Sequence, residues 1–238
     1  MTNDNIKYRF KFEKFGTIKF IGHLDVVIVF QRALKRADIP IAYSNGFNPH
    51  QLISFALPLS LGYTSIGEYG DFQLQTEENP EELKEKINNA LPEGLIITEL
   101  IKLKEGVKNT MASVCAASYD IYFDETITPE DIKNNLSSFI NQNEILVMKK
   151  TKKNFKETDI KPDILGAEDI SADGKGVLKV LVNAGSVKNL KPESVAEGFC
   201  IFINKEYNRY KTAFRRNEMY MKNSEEKLVP LTDGVGEN

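Results

Sequence analysis

Apolar and polar residues alternate from Ile6 to Glu13, with Tyr8, Phe10 and Phe12 on one side and Lys7, Arg9 and Lys11 on the other. That period of two predicts a half-buried strand. After a Lys14-Phe15-Gly16 turn the period changes. Leu24, Val27, Phe30, Ala33 and Leu34 recur at helical spacing over His23–Ala37, which predicts a helix with those residues as its buried stripe. Gly22 stands at the N-cap, and Asp25 at the third helical position can meet free backbone N–H groups there. Pro40 closes the helix. Asn45-Gly46 and Asn48-Pro49-His50 form a loop, followed by an apolar run, Ile53–Leu61, in which Pro58 argues against a central strand. Residues 68–75 alternate as a strand, Asn79-Pro80 opens a helix to about Ala90, and residues 95–102 read as another strand.

The order strand, helix, strand, strand, helix, strand is the ferredoxin-like pattern. A similar series follows. It comprises a strand over 117–123, a helix from Thr128-Pro129, a strand over 144–149, a hairpin across Asp173-Gly174, a helix from Pro192 and an Arg-rich final segment over 206–220. The fold expected is α+β, with two ferredoxin-like halves whose antiparallel sheets carry helices on one face. The boundaries expected are 1–108, 109–221 and a fraying polar tail over 222–238. A chain of 238 residues is long enough for this.

Composition narrows the function classes. No apolar run is long enough to span a bilayer, and the N-terminal residues lack an apolar signal core, so neither a membrane protein nor a secreted one is expected. Two cysteines, Cys115 and Cys200, offer neither a disulfide framework nor the thiolates of an iron–sulfur cluster. A cytoplasmic protein without metal or cofactor is the expectation. The net charge of −3 hides a segregation: +4 over residues 1–56, −10 over 57–144, +6 over 145–216 and −3 beyond. Basic segments flanking an acidic one suit a phosphate backbone as partner, or a solvated lysine-rich surface.

Candidate chemistry gathers in Phe20–Leu59, which holds both histidines. His23, His50 and Asp25 are the catalytic candidates, because a histidine pair can cleave RNA by acid–base proton transfer. The plainer alternative is a His23 that bonds the loop backbone and fixes the start of the helix, and the pair could equally contact a phosphate. Arg9, Lys14, Lys19, Arg32 and Arg36 are candidate phosphate contacts. Tyr43, Asn45, Phe47, Asn48 and His50 are candidate contacts to single-stranded RNA bases. No phosphate-binding glycine loop, nucleophile elbow or dinucleotide fingerprint is present.

Several blocks resemble the radical SAM-linked protein family, a domain of unknown function found beside or fused to radical SAM proteins. They are Arg9-Phe10 with Lys14 and Gly16, Phe20-Ile21-Gly22-His23-Leu24-Asp25, Arg32-Ala33-Leu34, Ala42-Tyr43-Ser44-Asn45-Gly46-Phe47-Asn48-Pro49 and Ser54-Phe55-Ala56-Leu57-Pro58-Leu59, with shorter matches at Asp159–Pro162, Leu190–Pro192, Arg216 and Met219-Tyr220. The chain departs from the family pattern at Gln51-Leu52, where a proline and a basic residue are usual, and at Ile28, where a basic residue often sits. The resemblance implies partnership with a radical SAM protein rather than that chemistry itself, since the three closely spaced cysteines are missing. The functional expectation is an accessory, non-catalytic module that binds tRNA or rRNA or presents a substrate. An RNA-processing enzyme using His23 and His50, and a protein-docking subunit with an apolar patch around Leu57–Leu61, are the alternatives.

Overall fold

The computed structural model describes residues 5–150 and 154–237. The chain forms two compact units, one of residues 1–114 with 218–238 and the other of residues 115–217. The C-terminal segment thus returns to the first unit.

The first unit contains β1 (Ile6–Lys14), a 3-10 turn (Gly16–Phe20), α1 (His23–Arg36), β2 (Ile53–Phe55), β3 (Thr64–Leu74), α2 (Pro80–Ala90), β4 (Leu95–Lys102) and a short α3 (Thr110–Ser113). The second contains β5 (Ala116–Tyr122), α4 (Pro129–Ile140), β6 (Leu146–Lys150), β7 (Phe155–Asp159), β8 (Ile164–Asp169), β9 (Val177–Asn183) and α5 (Pro192–Phe202). β10 (Ala213–Lys222) begins in the second unit and ends in the first, where β11 (Leu228–Pro230) pairs with it. The sheets are mostly antiparallel, so the class is α+β.

In the first unit β1 lies between β4 and β3, antiparallel to both, and β2 pairs antiparallel with β3. β1 is thus an interior strand. Its even-numbered side chains Tyr8, Phe10 and Phe12 enter a core with Val26, Phe30 and Leu34 of α1 and Leu83 and Ile87 of α2. Phe10 lies 5.2 Å from Phe30 and 5.6 Å from Phe72, centroid to centroid. Gly70 on β3 makes room for this: a Cβ there would stand 2.5 Å from Phe10 Cζ and 2.9 Å from Ser54 O.

The opposite face of β1 is covered as well, which the alternating pattern does not anticipate. Arg9 is fully buried. Its guanidinium pairs with Asp71 (Nε to Oδ1, 2.8 Å) and donates to the carbonyls of Leu231 and Lys108 at 2.7 and 2.8 Å. Asp71 also accepts from Thr110 N. Beside it, Glu218 takes Lys11 Nζ at 2.6 Å and Tyr69 OH at 2.7 Å. The segment expected to fray thus supplies β11, the fully buried Leu231, and a bridge from Gly236 to Leu103.

Helix ends follow local rules. Asn79 accepts from the N–H groups of Glu81 and Glu82, and Thr128 and Asp131 cap α4 reciprocally. α1 stops before Pro40: Asp38 takes a left-handed φ of 53°, and Ile39 N donates to Leu34 O at 3.1 Å, closing a Schellman motif.

In the second unit the sheet order is β10-β5-β9-β8, and Phe199 of α5 packs on Phe123 and Phe139. β6 and β7 form a separate two-stranded hairpin seated on α5, where Gly198 faces Ile145 and Val147. β7 has no counterpart among the expected elements, because its surroundings read as a basic run; Lys152 and Lys153 of that run lie outside the described residues.

Replacing Asp71 by Ala leaves a buried guanidinium without its anion, so unfolding free energy in urea is expected to fall by about 3–5 kcal/mol. An unchanged midpoint would show that the ion pair does not hold the C-terminal segment down.

Candidate functional site

The strand-to-helix junction at Lys14–Asp25 is the first of two sites in the N-terminal unit. Lys14 continues the inward register of Tyr8, Phe10 and Phe12, so its side chain is buried, and Nζ donates to Ile21 O at 3.0 Å. Glu68 pairs across from Phe12 in the β1–β3 register and is also buried. Burial pushes the Lys14 ammonium below the usual lysine range, and the Glu68 carboxylate partly opposes that shift. His23 stands at the first turn of α1, its ring edge-on to Phe55 at 5.8 Å. Asp25 Oδ2 accepts from Gly22 N at 3.1 Å, which caps the helix. Lys14, Glu68 and His23 line one cavity with Phe12, Phe55 and Leu59, of about 10 Å³. That is room for a single water molecule, too little for a substrate beside the buried Lys14 and Glu68 side chains.

His50 occupies the second site. Its Nδ1 lies 2.8 Å from Ser44 Oγ, which also accepts from His50 N. It lines a groove of about 270 Å³ with Lys7, Gln51, Ser54, Asp71 and Asn109. Gln51 anchors the loop by donating to Gln31 O at 3.3 Å and to Tyr43 OH at 3.5 Å. The linings of the two cavities share no residue. The structure thus sets His23 beside Lys14 and Glu68, and His50 beside Ser44.

The expected phosphate contacts divide. Arg9 and Lys14 are buried and turn their donors inward. Arg32 and Arg36 are exposed, although Arg36 spends one donor on Ala90 O at the end of α2. Lys19 is partly exposed, its ammonium 5.0 Å above the Phe20 ring. Tyr43, Asn45, Phe47, Asn48 and His50 are all exposed, Phe47 completely.

The outward face of α1 is the unexpected feature. Leu24, assigned by spacing to the buried stripe, is 75% exposed, and Val26 takes its place inside. Leu24 and Ile28 stand one turn apart on the surface, Phe20 is 65% exposed just before them, and Leu61 is exposed to the same extent. Gly62 N donates to Lys19 O at 2.8 Å, which sets the Leu61 turn beside Phe20. The four consecutive apolar residues Val26–Val29 are the sequence signal that more than one side of this helix is apolar. Glu68 carries a signal too: it shares the register of Gly70 and Phe72, a carboxylate on an otherwise apolar strand face.

Residues 7–192 match the bacterial family described as "uncharacterized protein conserved in bacteria (DUF2344)". The chain belongs to that family. No curated protein matches the sequence. Among solved structures, an unknown protein from Galdieria sulphuraria is similar over 90% of this chain and 98% of its own, at 10% identity and a TM-score of 0.26. Among the described residues no group of three or more His, Cys, Asp or Glu side chains is placed to hold a metal ion, and no helix is long and apolar enough to cross a membrane.

The buried lysine makes a pH signature. Between its lowered folded pKa and the ordinary value of 10.5, the unfolded chain keeps a proton that folded Lys14 gives up, so this group adds stability as pH rises. Replacing Lys14 and Glu68 together by Met removes the effect without stranding a charge. The stability difference, double variant minus wild type, is expected to decrease from pH 8 to 10.5 in urea melts. A difference independent of pH would mean Lys14 titrates as in the unfolded chain.

Proposed function

We propose that this protein is a non-catalytic accessory subunit that works in the cytoplasm beside a radical SAM enzyme and docks to it through the outer face of α1. The carrying observation is the exposed apolar set Phe20, Leu24, Ile28 and Leu61. Aliphatic side chains at one-turn spacing on a helix suit a protein groove, and contiguous exposed apolar residues mark interaction surfaces. The radical SAM partner comes from the sequence resemblance, whose most specific block, Phe20–Asp25, lies on this surface. A docking role also accommodates the two histidine sites: one cavity has room for no more than a single water, and the other shares no residue with it.

We read each unit as a ferredoxin-like half. The first has strand order β4-β1-β3-β2, and the second has β10-β5-β9-β8 once the β6–β7 hairpin is set aside as an insertion. Both correspond to the element order strand, helix, strand, strand, helix, strand.

A second reading, presentation of tRNA or rRNA to the enzyme, is favoured by the exposed aromatic loop residues Tyr43 and Phe47 with Arg32. On this reading the contact runs along α1 and the loop, not the sheet face, because Arg9, Lys11 and Tyr69 there are engaged with Asp71 and Glu218.

Leu24→Asp with Ile28→Asp tests the docking reading. Exposed positions tolerate such changes within about 0.5 kcal/mol, so the melting temperature should hold while retention of the cell's radical SAM protein on the tagged chain falls at least about tenfold, a loss of roughly 1.4 kcal/mol. Retention equal to wild type after nuclease treatment would defeat it. Retention that disappears with nuclease alone would favour RNA presentation.

A further inference from the structure

The β6–β7 hairpin of the second unit carries a charge arrangement that neither its packing nor its neighbours account for. In its register Val147 pairs with Thr158, Met148 with Glu157, and Lys149 with Lys156. Val147 is buried on the side that meets Gly198 of α5. Lys149, half-buried, and Lys156, exposed, share that side one pair further along the hairpin. Two lysines directly opposite one another across an antiparallel pair repel. Neither ammonium has a carboxylate or carbonyl partner among the described residues, whereas Lys11, Lys84, Lys102 and Lys205 each have one. In sequence, Glu144 and Glu157 bound a stretch, residues 145–156, that holds no acidic residue. The one carboxylate paired into this stretch, Glu157 opposite Met148, belongs to the other side of the ribbon. That other side exposes Phe155 (65%) and Met148 (50%).

We propose that this hairpin is a binding arm for single-stranded RNA that wraps the β7 edge, with Lys149 and Lys156 on two phosphates at one side and Phe155, the chain neighbour of Lys156, offering its ring to a base on the other. An unneutralised lysine pair is the cost of keeping a cation site ready, and a phosphate backbone is the ligand that relieves it by releasing counterions. An exposed aromatic on the same ribbon is the usual sequence-tolerant complement to such a track. An acidic protein segment would satisfy the lysines but has no use for the ring. This site does not rest on the α1 surface: it lies in the other unit and uses none of its residues.

The test is fluorescence anisotropy of the full chain with a labelled oligouridine of about 20 nucleotides, over roughly 50 to 300 mM KCl. Lys149→Ser with Lys156→Ser is compared with a charge-matched control, Lys86→Ser with Lys133→Ser, both exposed. Every single-strand phosphate that a lysine no longer neutralises takes about 0.7 off the salt slope, so the hairpin variant should lower the slope by about 1.4 and weaken binding about 25-fold at 0.1 M salt. Its melting temperature should be unchanged or higher, because the repelling pair is gone. Phe155→Ala should weaken binding with no change in slope. No saturable binding at the lowest salt, or a hairpin variant with the control's affinity and slope, overturns the proposal. Loss of enzyme docking in the α1 variant with RNA binding intact separates the two sites.

Discussion

A guanidinium taken completely out of water is the constraint on which the first unit rests. Arg9 sits on the central strand, and a desolvated cation is tolerable only if every donor it turns inward meets an acceptor. Three separate pieces of chain meet that demand: Asp71 from β3, the Lys108 carbonyl ahead of α3, and the Leu231 carbonyl after β11. Asp71 in turn holds the first N–H of α3. None of these partners is near Arg9 in sequence, and all are fixed by one side chain. The aromatic core on the other side of the same strand, around Phe10, supplies the apolar burial; the arginine determines which segments close over the remaining face.

The junction between β1 and α1 repeats the theme on a smaller scale. Lys14 and Glu68 are charged residues in an apolar register, and each makes the other's burial less costly. Lys14 also ties the turn to Ile21 O. With Asp25 capping from the other side, the start of α1 is held by polar contacts beneath, which leaves Phe20, Leu24 and Ile28 facing out on a firmly positioned helix. Such rigidity is what a docking surface needs, since little ordering remains to be done on association.

The order of elements was legible because their periods are clean. The strand over 6–13, the helix from His23, the capped helices at Asn79 and Thr128 and the turn at Asp173-Gly174 all appear where alternation, caps and turn residues place them. What was not legible depends on contacts distant in sequence. Arg9 and Lys11 read as solvent-facing because nothing local shows that residues 218–237 will cover them. Leu24 read as core because an apolar residue at helical spacing is most often core, and only its neighbours' burial reveals the phase of α1. The β7 strand went unseen because Phe155–Asp159 is polar after its first residue and none of its side chains is buried, so no apolar alternation marks it. In the candidate site, the two histidines stood out by rarity, while Glu68 was hidden in an ordinary-looking strand and has the closer relation to the buried chemistry.

The return of residues 218–237 to the first unit has a consequence for the order in which the protein is made. The second unit is one continuous stretch, 115–217, and has all of its residues before the first unit has its last. At synthesis rates of about 5–20 residues per second, Asp71, the later of the buried pair, is made roughly 8–32 s ahead of the Leu231 carbonyl that completes their site. For that interval the β-sheet face around Arg9 stands open on the nascent chain, so the first unit to be translated is the last to be finished.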